Sequence, residues 1–277
     1  MSQSHELQLH IGKLNEIRSI LNSMKNLALI ETHKLAHLQS LQIQAVSAIE
    51  IVISDFLHFY PHLATADVHA KSVCLLVGTE RGFCGDLNEQ LIQIGIGQNY
   101  TQTIAIGSRL ANKLTEYESE AINFIGGANI TEEVPLIANR LIDSIAPASI
   151  LLADHHLITR LTAIYFDSAG KSARQRQLLP LGSQQKTETL HHHHPPLLNL
   201  APEVFFSDLL CHYLFAVLHE ILYLSLTAEN QLRLQHLEGA VNHLDDEIVN
   251  LQHKSQIYRQ EEITEEIEVI LLNAENI

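Results

Sequence analysis

The chain has 277 residues and a mass of 31.1 kDa, enough for two domains, and 46% apolar against 18% charged residues exclude global disorder. Lys and Arg total 17 against 32 Asp and Glu, and the formal charge of −15 repels nucleic acid and anionic lipid as main partners. Cys74, Cys84 and Cys211 are too few for a disulfide framework and point to a reducing compartment, and the N-terminus MSQSHELQLHIGKL lacks the basic-then-apolar order of a signal peptide.

The first element is a helix. Leu14, Ile17, Leu21, Met24, Ala28, Glu31, Leu35, Leu38, Gln42 and Ala45 step three and four alternately, the seam of a coiled coil with polar breaks at Glu31 and Gln42. No proline precedes Pro61, so one helix from about residue 5 to 58 is predicted, roughly 80 Å long at 1.5 Å per residue. His33 and His37 share a face at i, i+4, as metal ligands can, but no third ligand is placed beside them.

The middle changes character. SVCLLVG (72–78), TIAIG (103–107), INFIG (122–126), SILLAD (149–154) and LTAIYFD (161–167) read as strands, with helices near 87–98, 108–119 and 131–145. Strands alternating with helices imply a mostly parallel α/β sheet. The loop GTERGFCGDLN (78–88) follows the first strand, where open α/β sheets bind ligands. Its glycines fit neither G-x-G-x-x-G nor a P-loop, and Glu80 and Asp86 place negative charge where a phosphate would lie, so a tight structural turn is the preferred reading. Cys84 precedes a predicted helix whose dipole can activate a thiol, yet no histidine is identified near it, and a packing role is preferred. Asp154, His155 and His156 form a polar strand end without a nucleophile motif.

Residues 168–200 read as a loop, with the internal tract His191 to His194 followed by two prolines. Such a tract supplies no fixed ligand geometry, so no metal site is assigned to it. The run 204–228 is apolar, but Asp208, His212, His219 and Glu220 interrupt it, and burial against protein is expected instead of a membrane span. A last helix over about 203–272, on the order of 100 Å, carries the seam Leu234, Leu237, Val241, Leu244, Ile248 and Leu251. Gly239 costs this helix about 1 kcal/mol relative to alanine, too little to break it. Residues 200–277 hold 3 basic and 14 acidic groups, with Glu261, Glu262, Glu265, Glu266 and Glu268 crowded near a C-terminus whose dipole prefers cations. The two terminal helices are expected to pair with each other and to project beyond the middle domain.

Four segments together resemble the gamma subunit of F-type ATP synthases, the central rotor shaft. TERGFCGDLN (79–88) is similar to that family's S/T-D-R-G-L-C-G-G-L-N signature, with Phe83 for Leu and Asp86 for Gly. QLLPL (177–181) is similar to S-Q-L-L-P-L, and LTAENQLRLQHLEGAVNHLDDEI (226–248) to S-E-Q/N-x-x-R-M-x-A-M-x-x-A-T-x-N-A-x-x-x-I. YRQEEITEEI (258–267) is similar to A-R-Q-A-x-I-T-x-E-L. The resemblance implies an α/β chain with a long antiparallel coiled coil of N- and C-terminal helices (1–62 and 203–277), a central Rossmann-like domain (70–182) and a connecting loop (183–202). It also implies a noncatalytic shaft without cofactors, partnered by the alpha and beta subunits of a catalytic hexamer, an epsilon subunit and a membrane c-ring. Its place would be peripheral, on the cytoplasmic face of a bacterial plasma membrane, without membrane insertion. Met24, Arg259, Gln260, Thr264 and Glu266 match partner-binding positions, and Arg81, Gly82, Phe83, Cys84, Gly85 and Asn88 make up the signature loop.

There are departures. Of the family's M-E-M-V-A-A-S-K run, Met24-Lys25-Asn26-Leu27-Ala28-Leu29-Ile30-Glu31 keeps only Met24 and Ala28, and the acidic last quarter stands where family shafts are usually basic and meet acidic loops. This is the pattern of a divergent or alternate branch, some of whose members are linked to sodium instead of protons. Other classes are open at this point: a coiled-coil scaffold with a ligand-sensing α/β domain, and a hydrolase or metalloenzyme using residues 154–156.

Overall fold

A computed structural model describes residues 3–64, 71–96, 98, 100–117, 122–145, 158–167, 172–181 and 194–275. The chain forms two compact units, Met1–Leu29 with Arg233–Ile277, and Ile30–Leu232. Helix α1 (Gln3–Phe59) and helix α5 (Pro202–Glu275) each contribute to both. Pro61 stops α1, because it has no N–H to continue the ladder, and Pro202 opens α5 at a position where that N–H is not needed.

In the first unit the two helices run antiparallel, since rising numbers on one meet falling numbers on the other. The Ser4 N–H donates to Glu262 Oε1 at 3.3 Å, and Arg18 pairs with Asp245. The seam expected in α5 is present: Leu237, Val241 and Ile248 are buried and Leu234, Leu244 and Leu251 half-buried. The column continues to buried Ser255 and half-buried Glu262.

The second unit is an α/β sandwich. Its sheet runs β3 (Ile122–Ile125), β2 (Gln102–Ile106), β1 (Lys71–Val77), β4 (Ile158–Asp167) and β5 (Ser172–Leu179) in spatial order. The first four are parallel, and β5 lies antiparallel against β4. Residues along β1 alternate between two cores. Val73, Leu75 and Val77 meet α4 (Val134–Ile145), α1 and α5, while Cys74 and Leu76 meet α2 (Leu87–Ile96) and α3 (Ser108–Leu114). Burial on both faces explains why β1 reads as an apolar run without alternation. The apolar start of α5 belongs to the first of these cores: Tyr213, Leu214 and Ala216 through Asn230 are buried, as expected for a core helix. By length and composition both α1 and α5 could cross a membrane; the apolar window of α5 is 72% buried, that of α1 17%.

Three expectations change. Strand β5 occupies part of the segment 168–200 read as a loop. The α1 seam keeps Leu14, Leu21, Met24, Ala28, Glu31, Leu35 and Gln42 at least half-buried, but Ile17, Leu38 and Ala45 of its alternate column are exposed. Gln39, Val46 and Ile53 pack inward instead, one residue further on. Glu31 is buried, not a loose seam position: its Oε2 accepts from the Thr131 N–H at 3.0 Å and the Thr131 hydroxyl at 2.7 Å. The strand expected at 149–154 and residues Asp154, His155 and His156 lie outside the described residues.

Candidate functional site

The signature loop follows β1 and is built to hold itself and its neighbours. Gly78 donates to the Ile106 carbonyl at 3.0 Å, extending the β1–β2 ladder, and a Cβ there would fall 2.6 Å from that of Leu110. Asn88 receives the Thr79 N–H at 3.1 Å and donates back to the Thr79 hydroxyl at 2.9 Å, both residues being buried. The loop thus closes on its own first and last residues, and the signature Asn has a structural task.

Glu80 determines what the carboxyl edge of the sheet can bind. Its carboxylate accepts from the Ser108 N–H (2.9 Å) and hydroxyl (2.7 Å) at the start of α3, and from the Gly127 N–H (2.7 Å) beyond β3. Burial alone would raise its pKa, but the Ser108 and Gly127 hydrogen bonds and the nearby Arg81 hold it below its ordinary value. The protein's own anion therefore occupies the Ser108 and Gly127 donors at the start of α3 and beyond β3, which would otherwise be open to an external anion. Gly107 has φ +105° here, and any Cβ on it would meet the Thr79 carbonyl at 2.6 Å.

The other half of the loop docks on α5. The Arg81 N–H donates to Glu229 Oε1 at 3.2 Å, and its guanidinium Nε donates to Asn129 Oδ1 at 2.9 Å. Cys84 is buried with its thiol 3.3 Å from the Gly82 carbonyl and 3.8 Å from that of Glu229. This is the packing role expected for it. The motif partners Arg81 and Glu229, read as separate resemblances 148 residues apart, meet in space. None of the three cysteines is in a disulfide, and burial pushes the Cys74 thiol up to about 12.

Phe83 has φ +64° and is 52% exposed, a left-handed backbone that side chains other than glycine adopt at a cost of about 1 kcal/mol. Phe83→Gly is expected to leave stability unchanged or to raise it by up to about 1 kcal/mol, read from the urea midpoint. A clear loss would mean that the ring contributes packing its exposure does not suggest. Beside Phe83 and Gly85 lies an open groove of about 420 Å³ edged by Arg81, Arg109, Lys113 and one carboxylate, Glu116, with Lys113 paired to Glu89. Basic side chains thus gather at the signature loop of a strongly acidic chain.

Other predicted residues are placed individually. Met24 is half-buried on α1, while Arg259, Gln260, Thr264 and Glu266 are exposed on α5, where the Thr264 hydroxyl donates to the Gln260 carbonyl at 2.8 Å. His33 and His37 are exposed. Among the described residues no group of three or more His, Cys, Asp and Glu side chains is placed to hold a metal ion. His191 to His193 lie outside the described residues, and His194 is exposed. Sequence reasoning missed Arg176, whose guanidinium on β5 joins Glu50 of α1 and Glu220 of α5, each at 2.8 Å. Its signal was an arginine in a polar run, indistinguishable from a solvated charge.

Comparison with known proteins agrees with this architecture. The chain superposes on the rotor of the Euglena gracilis mitochondrial ATP synthase with a TM-score of 0.65 at 13% identity, covering 94% of this chain and 98% of that one. A second Euglena gracilis structure, of the OSCP/F1/c-ring assembly, gives 0.64 at 14% identity over 98% and 93%. The central stalk/c-ring structure of the Tetrahymena thermophila mitochondrial enzyme gives 0.52 at 13% identity over 80% and 99%. At such identities these likenesses establish the fold, and residues 3–277 match the family model for ATP synthase. With that match running through nearly the whole sequence, the chain belongs to the gamma, or central-stalk, family of F-type ATP synthases.

Proposed function

We propose that this central-stalk subunit acts as a noncatalytic shaft, transmitting rotation of a membrane c-ring to a hexamer of alpha and beta subunits. The observation that carries the reading is α5, 74 residues without a break, which pairs with α1 in one unit and forms core in the other. A helix pair of that kind is stiff, and stiffness suits torque transfer. The exposed apolar side chains of α1, Ile30, Leu38 and Leu41 among them, support enclosure by other subunits, because they have surface that water does not favour.

Two surfaces are assigned to catalytic-subunit loops. The C-terminal stretch presents Arg259, Gln260, Thr264 and Glu266 together with exposed Ile263 and Ile267. Its acidity calls for basic groups in the facing loops. The groove at Arg81, Arg109 and Lys113 has the opposite sign and suits an acidic loop. The α/β domain is the foot that docks on the ring, with the epsilon subunit beside it. The placement is peripheral, on the membrane face that bears the catalytic subunits; the similar structures are mitochondrial and lend no support to a bacterial membrane in particular. The coupling ion, proton or sodium, is set by the ring.

Reconstitution with the catalytic subunits encoded beside it tests the proposal. A chain ending at residue 255 is expected to support less rotation-coupled ATPase activity than the full chain. Equal coupling by the two would remove the role given to Arg259 through Glu266.

A further inference from the structure

The segment between β3 and α4 joins the signature loop to α1, and side chains from both hold it at alternate residues. The Gly127 N–H donates to Glu80 Oε2 at 2.7 Å, Arg81 Nε donates to Asn129 Oδ1 at 2.9 Å, and the Thr131 N–H donates to Glu31 Oε2 at 3.0 Å. The Asn129 N–H tightens the turn by donating to Glu133 Oε2 at 2.7 Å. Gly127–Thr131 is thus a bridge with Glu80 and Arg81 at one end and α1 at the other. Both ends are packed: a Cβ on Gly127 would lie 3.1 Å from Glu80 Oε2, and Thr131 is buried. The bond in the middle, from Arg81 to Asn129, is exposed.

Arg81 serves two places. Its guanidinium holds the bridge, and it also edges the signature groove beside Arg109 and Lys113. Asn129 offers that guanidinium one neutral oxygen. A carboxylate in the groove offers two oxygens and a full charge, which the planar fork of arginine matches with paired N–H···O bonds. We propose that Arg81 is a switch between these acceptors: an anionic group in the groove draws it from Asn129, and the bridge then loosens its hold on α1 at Glu31. The switch deepens the reading of the groove as a seat for an acidic loop, and it rests on that reading for its occupant. Coupling of this kind is reciprocal, so whatever frees Arg81 from Asn129 also strengthens anion binding.

Tetraglutamate is the probe, titrated calorimetrically into the full chain at low salt. Asn129→Ala is expected to raise its affinity about fivefold, the scale of one exposed hydrogen bond to a charged group, because Arg81 then leaves no acceptor on binding. Hydrogen exchange reads the other end of the bridge. The Thr131 amide is expected to exchange about fivefold faster in Asn129→Ala, and equally in the native chain saturated with tetraglutamate, while the Leu75 amide of β1 keeps its rate. Arg81→Ala, which retains the backbone bond to Glu229, is expected to match that faster rate without peptide and to gain nothing from it. If tetraglutamate does not bind, the acidic reading of the groove fails, and Thr131 exchange in the two variants decides the coupling alone. Native-like Thr131 exchange in both variants, faster exchange at Leu75 in step with Thr131, or peptide binding that leaves Thr131 unchanged overturns the switch.

Discussion

Arg176→Ala is expected to lower the stability of the α/β unit by about 3–5 kcal/mol. The guanidinium joins Glu220, whose side chain is 10% exposed, to Glu50, at 20%. Removing it leaves two carboxylates facing each other with little water, beside Tyr213, whose hydroxyl burial has already pushed up to about 12. Burial raises the Glu220 pKa even with the arginine present. The folded state therefore binds more protons than the unfolded one around this group, and its contribution weakens as pH rises from the unfolded value of 4.5 through the folded one. In the variant that rise is steeper, so the loss measured by urea denaturation is expected to be greater at neutral pH than near pH 4.5. Arg176→Lys keeps the charge but cannot fork between both partners, and an intermediate midpoint is expected. A variant as stable as the native chain would show the triad to be balanced by its own desolvation.

Glu31→Ala is the second. Thr131 is 4% exposed, and without the carboxylate both its N–H and its hydroxyl lose their acceptor, at a cost of about 2–3 kcal/mol. The pH dependence has the opposite sign to that of Glu220. Burial works to raise the Glu31 pKa, but the Thr131 hydrogen bonds, with Lys34, hold it below 4.5. Its contribution is complete above the unfolded pKa and is lost as pH falls through the lowered folded value. Glu31→Gln is thus expected to reduce stability at pH 7 and to flatten the acid limb of the stability curve. If native chain and Glu31→Gln lose stability in parallel on acidification, the ionised carboxylate contributes nothing.

The helices and the parallel strands were legible because periodicity records which faces meet a core. The α5 seam holds because its apolar residues form one column pair. In α1 the apolar residues also populate an outward stripe, including Ile17, Leu38 and Leu41, and spacing alone assigned part of that stripe to the seam. Strand β5, SARQRQLL, was hidden by its place at the sheet edge, where polar side chains are the rule and only its last residues are buried. At the site, the negative charge of Glu80 was legible, since charge is local information, but its partners Ser108 and Gly127 were not. The pairings Arg81 with Glu229, Glu31 with Thr131, and Arg176 with Glu50 and Glu220 span 44 to 148 residues, and no short-range pattern encodes them.

Those three pairings fix something the apolar seam leaves free. A heptad seam is nearly invariant to sliding one helix past its neighbour by seven residues, about 10 Å, because each apolar side chain then finds another hole of the same kind. Polar locks do not share that symmetry. Glu31 ties α1 to Thr131 ahead of α4 and Glu50, 19 residues on, ties it to β5, while Glu220 and Glu229 tie α5 to β5 and to the loop after β1. A heptad slide of either helix breaks both of its own locks at once, so within the unit Ile30–Leu232 each helix sits like a key in its keyway and cannot slip axially without shearing two locks.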